Sequence, residues 1–287
     1  MPENPTMSDA ATQSREAAFH DAWANDTRLE DVLVRECFEA PTALENQFIL
    51  ARMGDVRGKK LLDIGAGLGE SSIYFALRGA QVTAVDVSPM MIEKVITLGK
   101  QYGVEVEGRV SDGEFLNVPS DEYDVIYLAN TIHHLRNRAA FFEQMARALK
   151  PGGVFFSYDP LAYNPAINVY RRMATRVRTP DESPLTIGDL KLAQKYFSNV
   201  GHREFWLSGL LLFVKYYLKD RIHPNSDRYW KRILRETPQT LRWWAPLHAL
   251  DGMLTRIPGL RWLSWNVVMW GQKPESASNS QKGAPSA

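Results

Sequence analysis

Short apolar runs alternate with amphipathic stretches through the middle of this 287-residue chain. Runs of this length with β-branched and aromatic residues predict strands, and the stretches between them predict helices. Such alternation is typical of a parallel sheet with helices on both faces, so we expect an α/β, doubly wound fold. The five predicted strands lie at 60–64, 81–85, 104–110, 124–129 and 153–158.

The residues before the first strand are expected to form a helical cover, 15–55. One helix is predicted at 15–25, and a second from Pro41, a favourable first-turn residue, to a stop at Gly54. The two ends of the chain are polar and lack hydrophobic periodicity, which predicts disordered tails. These tails are residues 1–14 and 275–287.

A glycine-rich turn follows the first strand. Residues 61–70 read Leu-Leu-Asp-Ile-Gly-Ala-Gly-Leu-Gly-Glu, and Asp86 closes the next apolar run. Glycines are needed where a strand turns sharply into a helix and a Cβ would collide with a bound ligand, and the later carboxylate is placed to reach a ribose diol. The pattern predicts a nucleoside pocket.

Glu70 narrows the choice of nucleoside. The dinucleotide fingerprint has its third glycine at the sixth position, whereas this chain has Gly69 one residue earlier and Glu70 in that place. A helix N-terminus favours anions, so a carboxylate there competes with a pyrophosphate. A phosphate-free, cationic cofactor is therefore expected.

In these residues the chain resembles the class I S-adenosylmethionine-dependent methyltransferases of small molecules. Their first motif is an apolar strand that ends in acidic-x-Gly-x-Gly-x-Gly, as in Asp63 to Gly69, and the segments 130–135 and 149–153 are similar as well. The resemblance implies S-adenosyl-L-methionine as the cofactor. It also implies a mostly parallel seven-stranded sheet whose last strand is antiparallel.

The resemblance implies a single methyltransferase domain, 15–274, with its cofactor-binding core at 60–160. Acceptor-side helices and a lid are expected at 161–262, before the last strand at 263–273. The elements predicted in this part are helices at 166–177 and 187–196 and strands at 203–213 and 263–271.

Cofactor contacts are assigned through the same resemblance. Asp86 would accept hydrogen bonds from the ribose hydroxyls, and Asp112 would accept from the adenine amino group. Alternatively, Asp86 caps a helix and Asp112 only organises a turn with Gly113. The implied cofactor residues are Asp63, Gly65, Gly67, Gly69, Asp86, Val87, Ser111, Asp112, Gly113 and Asn130.

The sulfonium already activates the methyl group, so the protein has to position the acceptor and remove its proton. His133 and His134 follow the fourth strand, and histidine is the natural base near neutral pH. Asp159 ends the fifth strand and completes the set of catalytic candidates. The candidates for substrate contact are Trp23, Tyr158, Tyr163 and Asn164. Trp23 is considered either as a cation–π partner of the sulfonium or as an anchor of its helix.

Six tryptophans interleave with arginines and lysines in the 230–270 region. Three interpretations stay open: a lid that shapes an apolar acceptor pocket, a peripheral membrane contact, and ordinary core or dimer packing. A net charge of +1 argues against nucleic acid as a partner. No metal is expected, because no carboxylate cluster follows the fourth strand.

Cys37 is the single cysteine, which excludes an intramolecular disulfide and is typical of a cytoplasmic protein. The chain offers no apolar run of membrane-spanning length, so we expect a cytoplasmic location with, at most, contact with the inner face of the membrane.

The sequence therefore favours a methyltransferase that acts on a small, hydrophobic acceptor. Transfer to oxygen is preferred, and transfer to carbon of a quinone-like ring or an isoprenoid is the close alternative. A nicotinamide-dependent oxidoreductase is disfavoured by Glu70, and a nucleoside-binding scaffold without turnover is the alternative that is not an enzyme.

Overall fold

One mixed sheet of seven strands forms the centre of the computed structural model, which describes residues 7–112, 115–179 and 182–275. The strand order is β3-β2-β1-β4-β5-β7-β6. The strands are β1 (Lys60–Ile64), β2 (Gln81–Asp86), β3 (Val106–Val110), β4 (Tyr123–Ala129), β5 (Leu149–Pro160), β6 (Ser198–Phe205) and β7 (Asn266–Gln272).

The last strand, β7, is antiparallel to both of its neighbours, β5 and β6, and the other described pairs are parallel. This confirms the predicted sheet, and it places the antiparallel strand inside the sheet instead of at its edge. Crossover helices bring β1, β2, β4 and β5 into register with their carboxyl ends at one edge, which is where open α/β sheets bind ligands.

Helices cover both faces of this sheet. Alternate residues of each strand enter opposite hydrophobic clusters: Leu61 lies with Tyr127 on one face and Leu62 with Phe155 on the other. The α-helices of the described residues are α1 (Met7–Asp26), α2 (Glu36–Glu39), α3 (Leu44–Met53), α4 (Glu70–Leu77), α5 (Pro89–Tyr102), α6 (Arg138–Ala148), α7 (Pro165–Met173), α8 (Ile187–Ala193), α9 (Leu210–Val214), α10 (Tyr229–Arg235) and α11 (Thr237–Leu254).

The prediction of a disordered N-terminal tail is wrong for residues 7–14, because α1 begins at Met7. This segment is polar but contains alanines and other good helix formers, so polarity alone misled the prediction. Residues 1–6 and 276–287 lie outside the described residues. The second helix, α3, begins at Leu44, after a turn at Pro41, and it ends before Gly54 as expected.

The strand predicted at 203–213 is the main error in the fold. The strand β6 ends at Phe205, and the apolar run that follows forms α9 and a π-helical turn (Lys215–Lys219). In this run Leu210, Phe213 and Tyr216 are buried, a spacing of three that belongs to a helix. An apolar run by itself does not distinguish a strand from a buried helix.

Residues 206–265, between β6 and β7, are called the insertion below. They contain α9, α10 and α11, and the chain then returns to the sheet as β7. Helices α7 and α8 end three or four residues earlier than the sequence suggested. Within the described part of the chain, each helix is too short or too polar to cross a bilayer.

Candidate active site

A cavity of about 290 Å³ opens at the carboxyl ends of β1, β2 and β4. Its walls come from the glycine-rich turn, from the ends of the sheet strands, from α1 and from the insertion. The volume is close to the lower end of the range for small-molecule sites. Most of the residues predicted from sequence meet in this one place.

The glycine-rich turn lies against the cavity with its backbone in the left-handed region, φ +72° at Gly65 and +55° at Gly67. A Cβ at Gly65 would collide with the side chain of Thr131, which donates a hydrogen bond to the Ile64 carbonyl at 3.0 Å. A Cβ at Gly67 would meet nothing within 4 Å, because this residue borders open space. The turn therefore leaves room for a ligand at Gly67.

Asp86 fastens this turn to the end of β2. Its Oδ2 accepts from the Gly67 N–H and its Oδ1 from the Ser88 N–H, both at 2.9 Å. The helix cap considered for Asp86 is supplied by Ser88, whose side chain accepts from Met91 N at the start of α5. Asp86 and Val87 line the cavity, and the ribose contact stays a prediction.

Asp63 does not line the cavity. It is buried at the end of β1, where Ser71 Oγ and Ser72 Oγ donate to its Oδ2 at 2.6 and 2.5 Å. Burial raises the pKa of Asp63 to about 6, and the serine hydrogen bonds oppose that shift. Asp63 therefore holds the first turn of α4 in place, and Gly69 precedes that turn with φ +97°.

Ser111, Asp112 and Asn130 also lie in the cavity wall. Asn130 has a positive φ of +53°, and its N–H donates to the Tyr158 carbonyl at 2.8 Å, which ties β4 to β5 at the site. Gly113, the remaining predicted cofactor residue, is outside the described residues.

His133 and Asp159 form a buried pair on the far side of the strand ends. The Nδ1 atom of His133 lies 2.8 Å from Asp159 Oδ1, which also accepts from the His133 N–H at 3.2 Å. Burial, and then the neighbouring cations, lower the pKa of His133 well below its usual range. Burial raises the pKa of Asp159 to about 7. His133 is therefore neutral near pH 7. In the tautomer that donates Nδ1–H to Asp159, Nε2 is the ring nitrogen that can accept a proton.

Residues 62–157 match the family model described as "Methyltransferase domain". These residues form a methyltransferase domain, and the sheet that contains them has the fold of class I, S-adenosylmethionine-dependent methyltransferases. This confirms the family resemblance that the glycine-rich turn suggested.

Curated relatives are similar to the chain over about the same part of it. The sarcosine/dimethylglycine N-methyltransferase of Aphanothece halophytica is 36% identical over 107 residues, 36% of this chain and 39% of that protein. The ubiquinone biosynthesis O-methyltransferase of Xanthomonas oryzae pv. oryzae is 34% identical over 110 residues, 38% of this chain and 46% of that protein. The chain thus spans less than half the length of either relative.

Among solved structures, phosphoethanolamine N-methyltransferase 2 of Haemonchus contortus, in complex with S-adenosyl-L-methionine, has a TM-score of 0.56 and 17% identity. The match covers 90% of this chain and 60% of that one. At this identity the likeness shows the fold alone.

The second histidine of the pair, His134, contacts α1. Its Nδ1 lies 3.3 Å from Glu16 Oε2, and His20 Nε2 approaches the same oxygen at 3.5 Å. Burial would raise the pKa of Glu16, but the two histidines outweigh burial and lower it. All three residues line the cavity, and their ligand atoms lie within 4.8 Å of one another, close enough to hold a metal ion.

The four predicted substrate residues divide into two pairs. Trp23 and Tyr158 line the cavity. Tyr163 is 39% exposed, and its hydroxyl accepts from Ile187 N at 2.9 Å, outside the cavity lining. The Asn164 side chain caps α7 by accepting from Ala166 N at 2.9 Å. The Asn-Pro pair at 164–165 is a helix start, a role for Asn164 that the sequence analysis did not consider. Substrate contact by these four residues stays a prediction.

The insertion closes the cavity against α1. Lys231 Nζ of α10 lies 3.0 Å from Glu70 Oε1, and the guanidinium carbon of Arg228 lies 3.7 Å from the centre of the Trp23 ring. Trp23 thus contacts the insertion and also lines the cavity, and both interpretations of this residue stay open. Glu70 begins α4, so the ion pair with Lys231 joins the glycine-rich turn to the insertion.

The tryptophans of the insertion serve different purposes. Trp230 and Trp265 line the cavity, as a lid requires. Trp244 is buried and stacks on Trp206, with ring centres 4.2 Å apart, which is ordinary packing. Trp243 is 57% exposed.

The polar residues of the cavity that were missed from sequence include Glu16, Arg178, Glu182 and Arg228. They come from α1, from the loop after α7 and from the insertion. The one feature of the sequence that pointed toward any of them was the basic composition of residues 166–178.

Proposed function

We propose that this protein transfers a methyl group from S-adenosyl-L-methionine to a small-molecule acceptor bound in the 290 Å³ cavity. The observation that carries the proposal is that His133, paired with the buried Asp159, lies in the wall of the same cavity as Gly67 and Asp86. This arrangement supports a donor site and a general base that share one cavity.

The cofactor would lie along Gly67, Asp86 and Asp112, and it supplies an electrophilic methyl group on a positively charged sulfur. His133 accepts the acceptor's proton at Nε2, because its Nδ1 is committed to Asp159. Asp159 fixes the tautomer of His133 and stabilises the imidazolium that forms. A base of this kind favours a hydroxyl acceptor, so we propose O-methylation ahead of C-methylation.

The acceptor wall has a partly apolar surface that includes Ile167, Tyr170 and Trp265. This supports an acceptor with a hydrophobic body. One of the two relatives is named an N-methyltransferase and the other an O-methyltransferase, so their names do not favour either atom. Our preference for oxygen as the acceptor atom depends on the role proposed for His133.

The first test is calorimetry with S-adenosyl-L-methionine and with NAD, followed by incubation with labelled cofactor and a panel of phenolic, prenylated and lipid acceptors. We expect binding of S-adenosyl-L-methionine alone and a product 14 mass units heavier than its acceptor, about the mass of one CH₂. Binding of NAD instead would support a nicotinamide-dependent oxidoreductase. Binding of S-adenosyl-L-methionine without any methylated product would support a nucleoside-binding scaffold without turnover.

His133→Gln tests the base. We expect kcat to fall at least tenfold while the Kd for the cofactor stays unchanged, because His133 acts on the acceptor. His248→Gln, at an exposed histidine of the insertion, is the matched control. Equal turnover in the two variants would remove His133 from the mechanism.

We also propose that the insertion touches a membrane surface. Its helices expose apolar side chains at helical spacing, on α9 and the π-helical turn and again on α11. The exposed residues are Leu211, Val214, Leu218, Trp243, Leu250, Met253 and Ile257.

A further inference from the structure

Two arginines converge on one carboxylate beside the proposed base. The Nη2 atom of Arg171 lies 3.3 Å from Glu182 Oε2, and Arg178 contacts the same oxygen. The Nε2 atom of His133 approaches it at 3.9 Å. Arg178, Glu182 and His133 all line the cavity.

A third arginine, Arg228, enters the same wall from the insertion. Its Nη1 donates to the Val177 carbonyl at 3.0 Å, and its plane covers Trp23. Neither contact supplies a negative charge. Arg138, which is also close to His133, differs because it has its own partner, Asp189, at 2.8 Å.

In this cluster of described residues three arginines meet one carboxylate in direct contact, Glu182, and Glu70 acts on Arg228 only through space. Glu182 is the one carboxylate in contact with Arg171 and Arg178, and within the described ranges Arg171 Nη1 is buried without a hydrogen-bond partner. Burial lowers the pKa of Arg171 and of Arg228 to about 10. Burial and then repulsion from the other two arginines lower that of Arg178 to about 9.

Buried charges without partners are costly, so such a cluster is stabilised when an anion binds. Guanidinium groups match the geometry of carboxylates and phosphates, with two donors to two oxygens. S-adenosyl-L-methionine carries one carboxylate, at its methionine end, but Arg171 and Arg178 contact Glu182 beside the proposed base His133, on the acceptor side of the cavity. The unmet partner therefore belongs to the acceptor.

We infer that the methyl acceptor carries an oxyanion, a carboxylate or a phosphate, which binds to Arg178 and Arg228 with Arg171 behind them. This inference rests on the proposed function, because it assigns a chemical class to the acceptor of that same site. Together with the apolar wall it describes an acceptor with a hydrophobic body and an anionic end, held so that its nucleophile faces His133.

The test uses benzoate, its neutral counterpart benzamide, and inorganic phosphate as probes. Each is titrated into the full chain by calorimetry, with and without S-adenosyl-L-methionine. We expect benzoate or phosphate to bind at least tenfold more tightly than benzamide. The tighter of the two anions identifies the carboxylate or the phosphate as the recognised group.

Arg178→Gln should weaken anion binding at least tenfold and leave the Kd for S-adenosyl-L-methionine unchanged, whereas Arg178→Lys should retain part of the affinity. Arg172→Gln removes the same charge from an exposed position on α7 and should behave as the wild type. Thermal melting checks that each variant is folded. If Arg178→Gln does not fold, the comparison of benzoate with benzamide on the wild type still decides whether the site prefers an anion.

Anions that bind no better than benzamide, or equal affinities in Arg178→Gln and Arg172→Gln, would overturn the inference. A protein that binds S-adenosyl-L-methionine but not the anions refutes the inference alone. A protein that binds the anions but not S-adenosyl-L-methionine refutes the proposed function and leaves the anion site standing.

Discussion

Asp63 and Asp86 are buried carboxylates at the ends of neighbouring strands. They have different roles because they accept hydrogen bonds from different donors. Asp63 accepts from two serine hydroxyls behind the glycine-rich turn. Asp86 accepts from two main-chain N–H groups, and it borders the cavity. A carboxylate oxygen has room for a second hydrogen bond, so Asp86 can hold the turn and still accept from a ligand.

Asp86→Asn should lower the affinity for S-adenosyl-L-methionine at least tenfold, about 1.4 kcal/mol. The new amide NH₂ would face the N–H of Gly67 or of Ser88, so one donor loses its acceptor and the turn shifts. Calorimetry measures the change. Asp55→Asn, at an exposed carboxylate paired with Arg57, is the control and should leave the affinity unaltered. An unchanged Kd in Asp86→Asn would exclude a ribose contact there.

Asp63 should make the stability of the protein depend on pH. Its pKa in the folded chain is about 6, above the ordinary 3.8, so folding favours the protonated form. The contribution is therefore fully present below about pH 4 and is lost as the pH rises through about 6. A shift of about two units corresponds to roughly 3 kcal/mol.

Asp63→Asn cannot titrate, so its free energy of unfolding relative to the wild type should become more favourable between pH 4.5 and pH 7. Urea denaturation at both pH values measures this difference. Titrating groups that do not interact with Asp63 contribute equally to both proteins and cancel, whereas Asp86 and Glu70 are coupled to it and raise its pKa. A difference that does not change with pH would mean that Asp63 is charged in the folded protein.

At the scale of elements, α1 and α10 form one cover over the cavity although 200 residues separate them in sequence. Arg228 and Lys231 stand over the Trp23 ring at 3.7 and 5.0 Å, and Lys231 also pairs with Glu70. Each cation–π contact contributes on the order of 1 kcal/mol, so the cover is held by a few contacts around one ring. Entry and exit of ligands require that these contacts open.

Trp23→Leu should loosen this cover. We expect faster amide hydrogen exchange in α1 and α10, with the central strands unchanged, and faster release of S-adenosyl-L-methionine in stopped-flow experiments. Trp243→Leu removes a tryptophan that is 57% exposed on α11, and it should alter neither observable. If exchange in α1 stays at the wild-type level, the cover does not depend on Trp23.

The elements differ in how far the sequence determines them. The strand β1 and the turn after it were predicted correctly, because Leu61 to Gly69 combine an apolar run with glycines that only a sharp turn requires. The residues that determine this strand and this turn are therefore contiguous in the sequence. The strand expected at 203–213 failed because burial of Leu210 and Phe213 is decided by their contacts with other helices.

The acceptor side of the cavity was less predictable for the same reason. Glu16, Arg178 and Arg228 stand in three separate segments without a motif, and only the packing of α1 and the insertion on the sheet brings them together. His133 and Asp159 were singled out because His133 follows β4 and Asp159 lies near the carboxyl end of β5, and such ends meet at one edge of a parallel sheet. Their catalytic roles stay predictions. Their pairing depends on the neighbouring position of β4 and β5.

At the scale of the whole molecule, charge and apolar surface are unevenly distributed. The insertion contains ten Lys or Arg and four Asp or Glu, a net charge of +6 in a chain whose net charge is +1. Its apolar face continues from the π-helical turn to α11, since Lys219 Nζ lies 4.2 Å from the centre of the Trp243 ring. Basic residues around an exposed apolar face are typical of contact with an anionic bilayer.

This surface predicts reversible binding to vesicles. The protein should co-sediment with vesicles of phosphatidylcholine and phosphatidylglycerol, less with phosphatidylcholine alone, and less again at high salt, because part of the attraction is electrostatic. Leu218→Ser with Met253→Ser should reduce binding at least tenfold, since these side chains are 68% and 67% exposed and are free to enter the acyl region. Leu77→Ser on α4 is the control, an apolar residue that is 39% exposed outside the insertion. Equal sedimentation of the double variant and the control would show that the apolar face of the insertion does not meet lipid, and would leave a protein partner or a second copy of the chain as its occupant.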